Sequence, residues 1–215
     1  MQEELLQFEK NEVWDLVQRP PDVNIIGTKW IFKNKSDEEG NVTRNKARLV
    51  AQGYTQIEGI DFDETFAPVT RMESVRLLLA MACKMRFKLH QMDVKSAFLN
   101  GYLKQEVYVA QPKGFEDPHH PDHVYKLKKA LYGLKQAPRA WYERLATYLL
   151  TKGYRRGGED KTLFIRNEQK NIIIVQVYVD DIVFGSVSNK MVKEFITDME
   201  TEFRRGRRIS TQTNQ

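Results

Sequence analysis

The feature that most constrains this chain is its longest apolar run, Ile172 to Val179, which resumes from Ile182 to Phe184 after two adjacent acids, Asp180 and Asp181. The first stretch reads as a strand, Ile182 to Gly185 reads as a second, and the two acids between them make a tight hairpin. A turn accepts Asp readily, so an ordinary hydrophilic hairpin tip explains Tyr178-Val179-Asp180-Asp181 as well as a functional site does. Against the ordinary tip stands an electrostatic cost. Adjacent carboxylates repel, and a pair at the rim of so apolar a sheet is unfavourable unless a cation neutralises it.

A third carboxylate, Asp93, ends another strand-like segment, Phe87 to Asp93, 87 positions earlier (180 − 93). If the two strands are neighbours in one sheet, the acids converge. Three carboxylates at a sheet edge suit two Mg²⁺ ions roughly 3.5 to 4 Å apart, the arrangement used for in-line phosphoryl transfer. Spacing alone does not establish that convergence, because many strands end in Asp.

Elsewhere the patterning describes a continuous α+β chain without internal repeats. A short amphipathic helix precedes Trp14 and the Pro20-Pro21 breaker. Gly27 to Lys35 and Val42 to Ala51 form a hairpin with basic side chains around a turn at Asp37 to Asn41. Val75, Leu78, Leu79 and Ala82 recur at helical spacing and predict a core-facing helix from Met72 to about Met85. Glu106 to Ala110 is a short strand and Gln111 to Asp122 a loop. Pro138 opens a long helix with Trp141, Leu145, Tyr148 and Leu149 on its apolar face, and Asn189 caps a last helix to about Phe203.

With 41% apolar residues the chain can fill a core, and 34 basic against 29 acidic residues, a formal +5, mildly favour a polyanionic partner. The single cysteine, Cys83, excludes an internal disulfide and any cysteine zinc cluster; its apolar neighbours predict a buried thiol in a reducing compartment. No segment approaches the ~18 apolar residues of a membrane span. His119, His120 and His123 read as a solvated loop rather than a metal site. Asp61, Asp63 and Glu64 lack the spacing of a calcium loop and read as structural.

Six segments resemble the copia-type retrotransposon reverse transcriptase. They are Thr28 to Lys33, Lys46 to Gly53, GIDFDETFAPV from Gly59, QMDVKSAFLNG from Gln91, LYGLKQAPRAWY from Leu131 and YVDD from Tyr178, in that order along most of the chain. The resemblance implies a right-hand polymerase: a fingers-like region over residues 1–85 with the basic hairpin, and a palm with interleaved fingers segments over 86–203. The implied activity is RNA-directed DNA synthesis, with dNTPs added to a primer on an RNA or DNA template. The implied cofactor is two Mg²⁺ ions, with Mn²⁺ a possible substitute.

Residue roles follow motif by motif. Asp93, Asp180 and Asp181 are similar to the catalytic acids, with Asp181 the softer ligand, and Val94 joins them as a metal-binding position. Lys46 and Arg48 resemble the fingers cations that grip the triphosphate, and Lys95, Ser96 and Ala97 the backbone that cradles it. Phe98 occupies the place of the gate against a ribose 2′-hydroxyl, and Gln136 falls among the nucleotide contacts. Tyr132, Gly133, Lys135, Pro138, Tyr178 and Val179 belong with template and primer. For Phe98 alone, core packing is the ordinary reading; for Lys46 or Arg48 alone, a solvated strand face.

Beyond the last predicted helix, residues 204–215 carry four arginines and then Ser, Thr, Asn and Gln. They are expected to form a disordered tail, and no thumb is expected in the chain. The whole is therefore expected to be a truncated remnant of reduced or no activity, with a catalytically silent nucleic-acid-binding remnant as the alternative.

Overall fold

The computed structural model describes residues 1–203 and, as backbone, residues 210–214. In chain order the elements are α1 (Gln2–Lys10), β1 (Trp14–Val17), β2 (Ile25–Ile26), β3 (Thr28–Ser36), β4 (Val42–Ala51), α2 (Met72–Met85), β5 (Leu89–Asp93), β6 (Tyr102–Val109) and β7 (Val124–Lys129). There follow α3 (Ala137–Thr151), β8 (Arg155–Arg156), β9 (Leu163–Glu168), β10 (Asn171–Tyr178), β11 (Asp181–Ser186), α4 (Asn189–Phe203) and β12 (Ser210–Asn214). The class is α+β. The chain divides into two compact units, residues 1–65 with 98–141 and residues 66–97 with 142–215.

The first unit holds a four-stranded sheet, β1-β7-β6-β2, and the separate β3–β4 ribbon. Phe8, Val13, Ile26, Leu49, Val107, Leu127 and Leu131 fill its core. Trp14 stacks on Tyr125 with ring centroids 4.0 Å apart and meets Phe8 edge-on at 4.9 Å, which fastens α1 to β1 and β7. The sequence pattern did not point to β1 or β7. In β7, Val124-Tyr125-Lys126-Leu127-Lys128-Lys129, the apolar residues alternate too briefly among lysines to stand out.

The second unit is a six-stranded sheet ordered β12-β5-β11-β10-β9-β8, antiparallel at every pairing. Helices cover both faces, which is why β10 is apolar on both: Ile173, Ile174, Val175 and Val177 are all buried. On one face Leu78 and Ala82 of α2 pack with Phe87, Ile174, Leu89 and Val183. On the other, Phe195 of α4 meets Phe184 of β11 at 4.5 Å, and burial of each such ring is worth about 2 kcal/mol. Within α3, Tyr148 reaches α4 by donating its hydroxyl to Asp198 O at 2.9 Å and packing its ring against Phe203.

The buried face of α2 packs on the second sheet, which puts residues 66–85 with β5 and β9–β11. Two expectations change. Leu79 is 53% exposed, since the inward stripe of α2 runs through Leu78, Met81 and Ala82. Cys83 is exposed rather than buried, lying one position past that stripe. In the tail, residues 210–214 form a strand against β5, Ser210 opposite Asp93, and so satisfy backbone groups on the edge of β5 that faces away from β11. The four arginines lie outside the described residues.

Candidate active site

In the second unit, β10 and β11 pair with Tyr178 opposite Asp181, which leaves Val179 and Asp180 as a two-residue hairpin loop. Such loops require a positive φ at their first central position, and Val179 adopts φ +55°. For a β-branched residue that conformation is strained. Tyr178 and Val179 project to solvent, 56% and 44% exposed.

The register of the next pairing brings the acids together. Asp181 stands directly opposite Asp93, and the N–H of Val94 donates to the carbonyl of Asp180 at 2.9 Å. All three aspartates are half-buried, and Val94 is buried. Gln91 Nε2 donates to Asp181 Oδ1 at 3.1 Å. The sequence reading passed over Gln91, yet it lies two positions before Asp93, the strand period that puts both on one face. Among the described residues, no three His, Cys, Asp or Glu side chains are gathered closely enough to hold an ion. Lys95 is exposed, Ser96 turns at φ +56° and Ala97 is buried.

The other expected site residues lie in the first unit. The β3–β4 register pairs Ile31 with Arg48, Lys33 with Lys46 and Lys35 with Arg44, so one face of the ribbon carries Lys29, Lys33, Lys35, Arg44, Lys46 and Arg48. Burial, with Arg48 and Lys35 close by, pushes the Lys46 ammonium down from its ordinary value. Glu4 of α1 lies near the same cations; burial raises its carboxyl, and Arg48 and Lys46 only partly oppose this.

The guanidinium of Arg48 lies over the Tyr132 ring, 4.7 Å from its centroid, and that ring packs on Phe98 at 4.9 Å. Tyr132 is seated by a hydrogen bond from Ala51 N to its carbonyl at 2.8 Å. Gly133 follows with φ +92°, where an added Cβ would fall 2.1 Å from Ala51 O. No other residue fits that approach. Lys135 places its ammonium over Phe62, 4.6 Å from the centroid, and Pro138 is half-buried in the first turn of α3.

Gln136, expected among the nucleotide contacts, turns inward instead. It is 5% exposed, its Nε2 donates to Asp61 O at 2.8 Å, and its Oε1 accepts from Gln56 Nε2 at 2.9 Å. Gln56 also accepts from Lys135 N at 2.8 Å, so Gln56 and Asp61 organise the loop before α3. Asp61 itself is buried and takes hydrogen bonds from Asn24 and Ile57, while Asp63 accepts from Gln105 and Glu64 pairs with Arg139. These acids are structural. The histidine loop is likewise closed from within, by Gln111 on the carbonyls of His120 and His123 and by Asp117 on the N–H groups of His119 and His120.

The family model described as reverse transcriptase (RNA-dependent DNA polymerase) matches residues 11–207. The chain belongs to the reverse transcriptase family. It is 46% identical over 194 residues, 90% of its length, to the retrovirus-related Pol polyprotein from transposon RE2 of Arabidopsis thaliana, and 45% identical over 194 residues to that from transposon RE1. The corresponding polyprotein from transposon TNT 1-94 of Nicotiana tabacum is 39% identical over 204 residues. The reverse transcriptase chain spans 13% of the length of the two Arabidopsis polyproteins and 15% of the tobacco one. These are copia-type relatives, in agreement with the motif resemblance. No helix among the described residues is long and apolar enough to cross a membrane.

Proposed function

We propose that the chain supplies palm and fingers to an RNA-directed DNA polymerase, the second unit acting as palm and the β3–β4 ribbon as fingers. The observation that carries this reading is the register that sets Asp181 opposite Asp93 while Val94 bonds to Asp180. Directly opposed antiparallel residues have Cα atoms about 4.5–5.5 Å apart, so rotation of the side chains is enough to converge the carboxylates. Hard carboxylate oxygens are the donors that Mg²⁺ takes, and Mn²⁺ accepts the same set. Asp93 and Asp180 would hold two ions, with the Val94 backbone and Asp181 beside them. Bound there, the ions supply charge neutralisation for the entering 3′-oxygen and the leaving pyrophosphate.

The remaining roles belong to the chain's own groups. In the reaction a primer 3′-hydroxyl attacks the α-phosphorus of a dNTP and pyrophosphate leaves. Arg48, oriented by Tyr132, and Lys46 bind the β- and γ-phosphates, Arg through parallel N–H donors. The N–H groups of Lys95 to Ala97 face phosphate oxygens, and Phe98 excludes a 2′-hydroxyl. Tyr132, Gly133, Lys135, Pro138, Tyr178 and Val179 contact template and primer.

Primer extension on an RNA template with Mg²⁺ or Mn²⁺ tests this. Incorporation of dNTPs that is lost in Asp180→Asn supports the reading. A chain that binds primer-template but incorporates nothing at any enzyme concentration overturns it in favour of a silent nucleic-acid binder.

A further inference from the structure

One polar side chain interrupts the buried apolar run of β10. Gln176 is 2% exposed, with Nε2 donating to Thr162 Oγ1 at 2.7 Å and lying 3.3 Å from both Thr70 Oγ1 and Asp160 Oδ2. Thr162 extends the chain of bonds: its hydroxyl and its N–H both donate to Asp160 Oδ1, at 2.5 and 2.8 Å. Asp160 also accepts from Arg71 N at 3.3 Å and from the Ser74 side chain, at the start of α2. All of these residues belong to the second unit.

The network meets the catalytic hairpin at Val177. Val177 N–H donates to Thr162 O at 3.0 Å, and the Thr70 hydroxyl donates to the Val177 carbonyl. Because β9 begins only at Leu163, a side chain here takes over from the strand ladder. The next two residues are Tyr178 and the strained Val179. Strain of that kind persists only where its surroundings over-determine it. On one side of β10 the turn is held by the Tyr178–Asp181 pair and the Val94–Asp180 bond; on the other the network holds its base.

Sheet stability alone would favour an aliphatic residue at position 176. Gln176 instead keeps its Oε1 buried without a hydrogen-bond partner, an unfavourable arrangement that a role outside packing explains. We propose that Gln176 is a positioning residue: through Thr162, Asp160 and Thr70 it fixes the Val177 carbonyl and so the seat of the Val179–Asp180 turn. The catalytic consequence rests on the reading of that turn as part of a polymerase site; the positioning itself does not.

Hydrogen–deuterium exchange and single-nucleotide incorporation by the whole chain, with Gln176→Leu, Thr70→Val and Thr70→Ser, test it. In Gln176→Leu and Thr70→Val, exchange over residues 178–182 accelerates about 10-fold or more while the amides of residues 173–175 keep their protection. With dNTPs, kcat falls about 10- to 100-fold while KM stays within about 2-fold, as for a misplaced rather than missing reacting group. Thr70→Ser, which keeps the hydroxyl, retains wild-type values and carries the comparison with Thr70→Val should Gln176→Leu not fold. Unchanged exchange at the turn overturns the proposal whether or not the chain incorporates nucleotide, as does faster exchange everywhere with kcat per folded molecule unaltered. A turn that loosens as expected in a chain whose wild type incorporates nothing upholds the positioning and overturns only the polymerase reading.

Discussion

The N–H of Val94 donates to the carbonyl of Asp180 at 2.9 Å, tying the end of β5 to the turn between β10 and β11 without help from any carboxylate. The link between the end of β5 and the hairpin turn is therefore made by backbone. Asp93→Asn and Asp180→Asn should each leave the melting temperature unchanged or higher, because removing one negative charge relieves repulsion. Each should cut incorporation at least ~100-fold, the scale of several kcal/mol of lost transition-state stabilisation. Calorimetry with primer extension checks both halves, and a clear fall in melting temperature would assign these acids a structural role.

The turn itself stores strain that a glycine would release. Val179 sits at φ +55°, a conformation costing roughly 1–3 kcal/mol for such a residue, whereas the added chain entropy of Gly costs about 0.4–1 kcal/mol. Val179→Gly should then be neutral to stabilising by about 1 kcal/mol, although Gly inside a strand normally weakens a sheet. Val183→Gly in β11, where the side chain packs with Leu78 and Ile174, should destabilise. Urea unfolding of the two variants separates the cases. A Val179→Gly protein clearly less stable than wild type would show the turn to be unstrained.

In the first unit the stack of Arg48 on Tyr132 predicts a graded response. A cation–π contact at a half-exposed site is worth about 0.5–1 kcal/mol, so Tyr132→Ala should raise the KM for dNTP roughly 2- to 5-fold through a less ordered guanidinium. Tyr132→Phe, which keeps the ring, should match wild type. Arg48→Lys should resemble Arg48→Ala more than wild type, since a point ammonium cannot reproduce two parallel donors. Steady-state kinetics with one dNTP at a time read this out, and equal KM values for all four variants would sink the proposed phosphate contact.

Gln136 calls for the opposite experiment. Its two carboxamide atoms are spent on Gln56 and Asp61, so Gln136→Ala leaves buried groups unpaired and should cost about 2–3 kcal/mol of stability. KM for dNTP in the protein that remains folded should be unchanged. A higher KM with normal stability would return Gln136 to the nucleotide contacts.

These residues also mark how far the sequence was legible. The apolar run broken by Asp180 and Asp181 predicted its hairpin because strand, turn and strand are contiguous, and the strand that ends at Asp93 was legible from its own alternation. Periodicity named the correct helix at Met72–Met85 but placed Leu79 inside, because a helix of mostly apolar residues leaves the rotation of its buried stripe open. Gln136 could not be read as internal, since the partner that turns it inward, Gln56, is 80 residues away. The same holds for Gln176, whose contact with Thr70 spans 106 residues.

Asp160 gives the network a pH signature whose sign is determined. Burial alone would raise its carboxyl, but hydrogen bonds from Ser74, from the hydroxyl and N–H of Thr162 and from Arg71 N outweigh it and hold the group below the ordinary carboxylate value. A depressed folded pKa means stability that is fully present above the unfolded value, near 4, and lost as pH falls through the lower folded value. Wild type should therefore be more stable than Asp160→Asn by a constant margin from about pH 5 to 7, and the margin should shrink below about pH 4 as the wild-type carboxylate takes up its proton. Urea midpoints of the two proteins between pH 3 and pH 7 measure it directly. A margin that grows toward acid would mean that burial, not the hydrogen bonds, dominates at Asp160, and the anchor beneath the hairpin would then be weaker than its geometry implies.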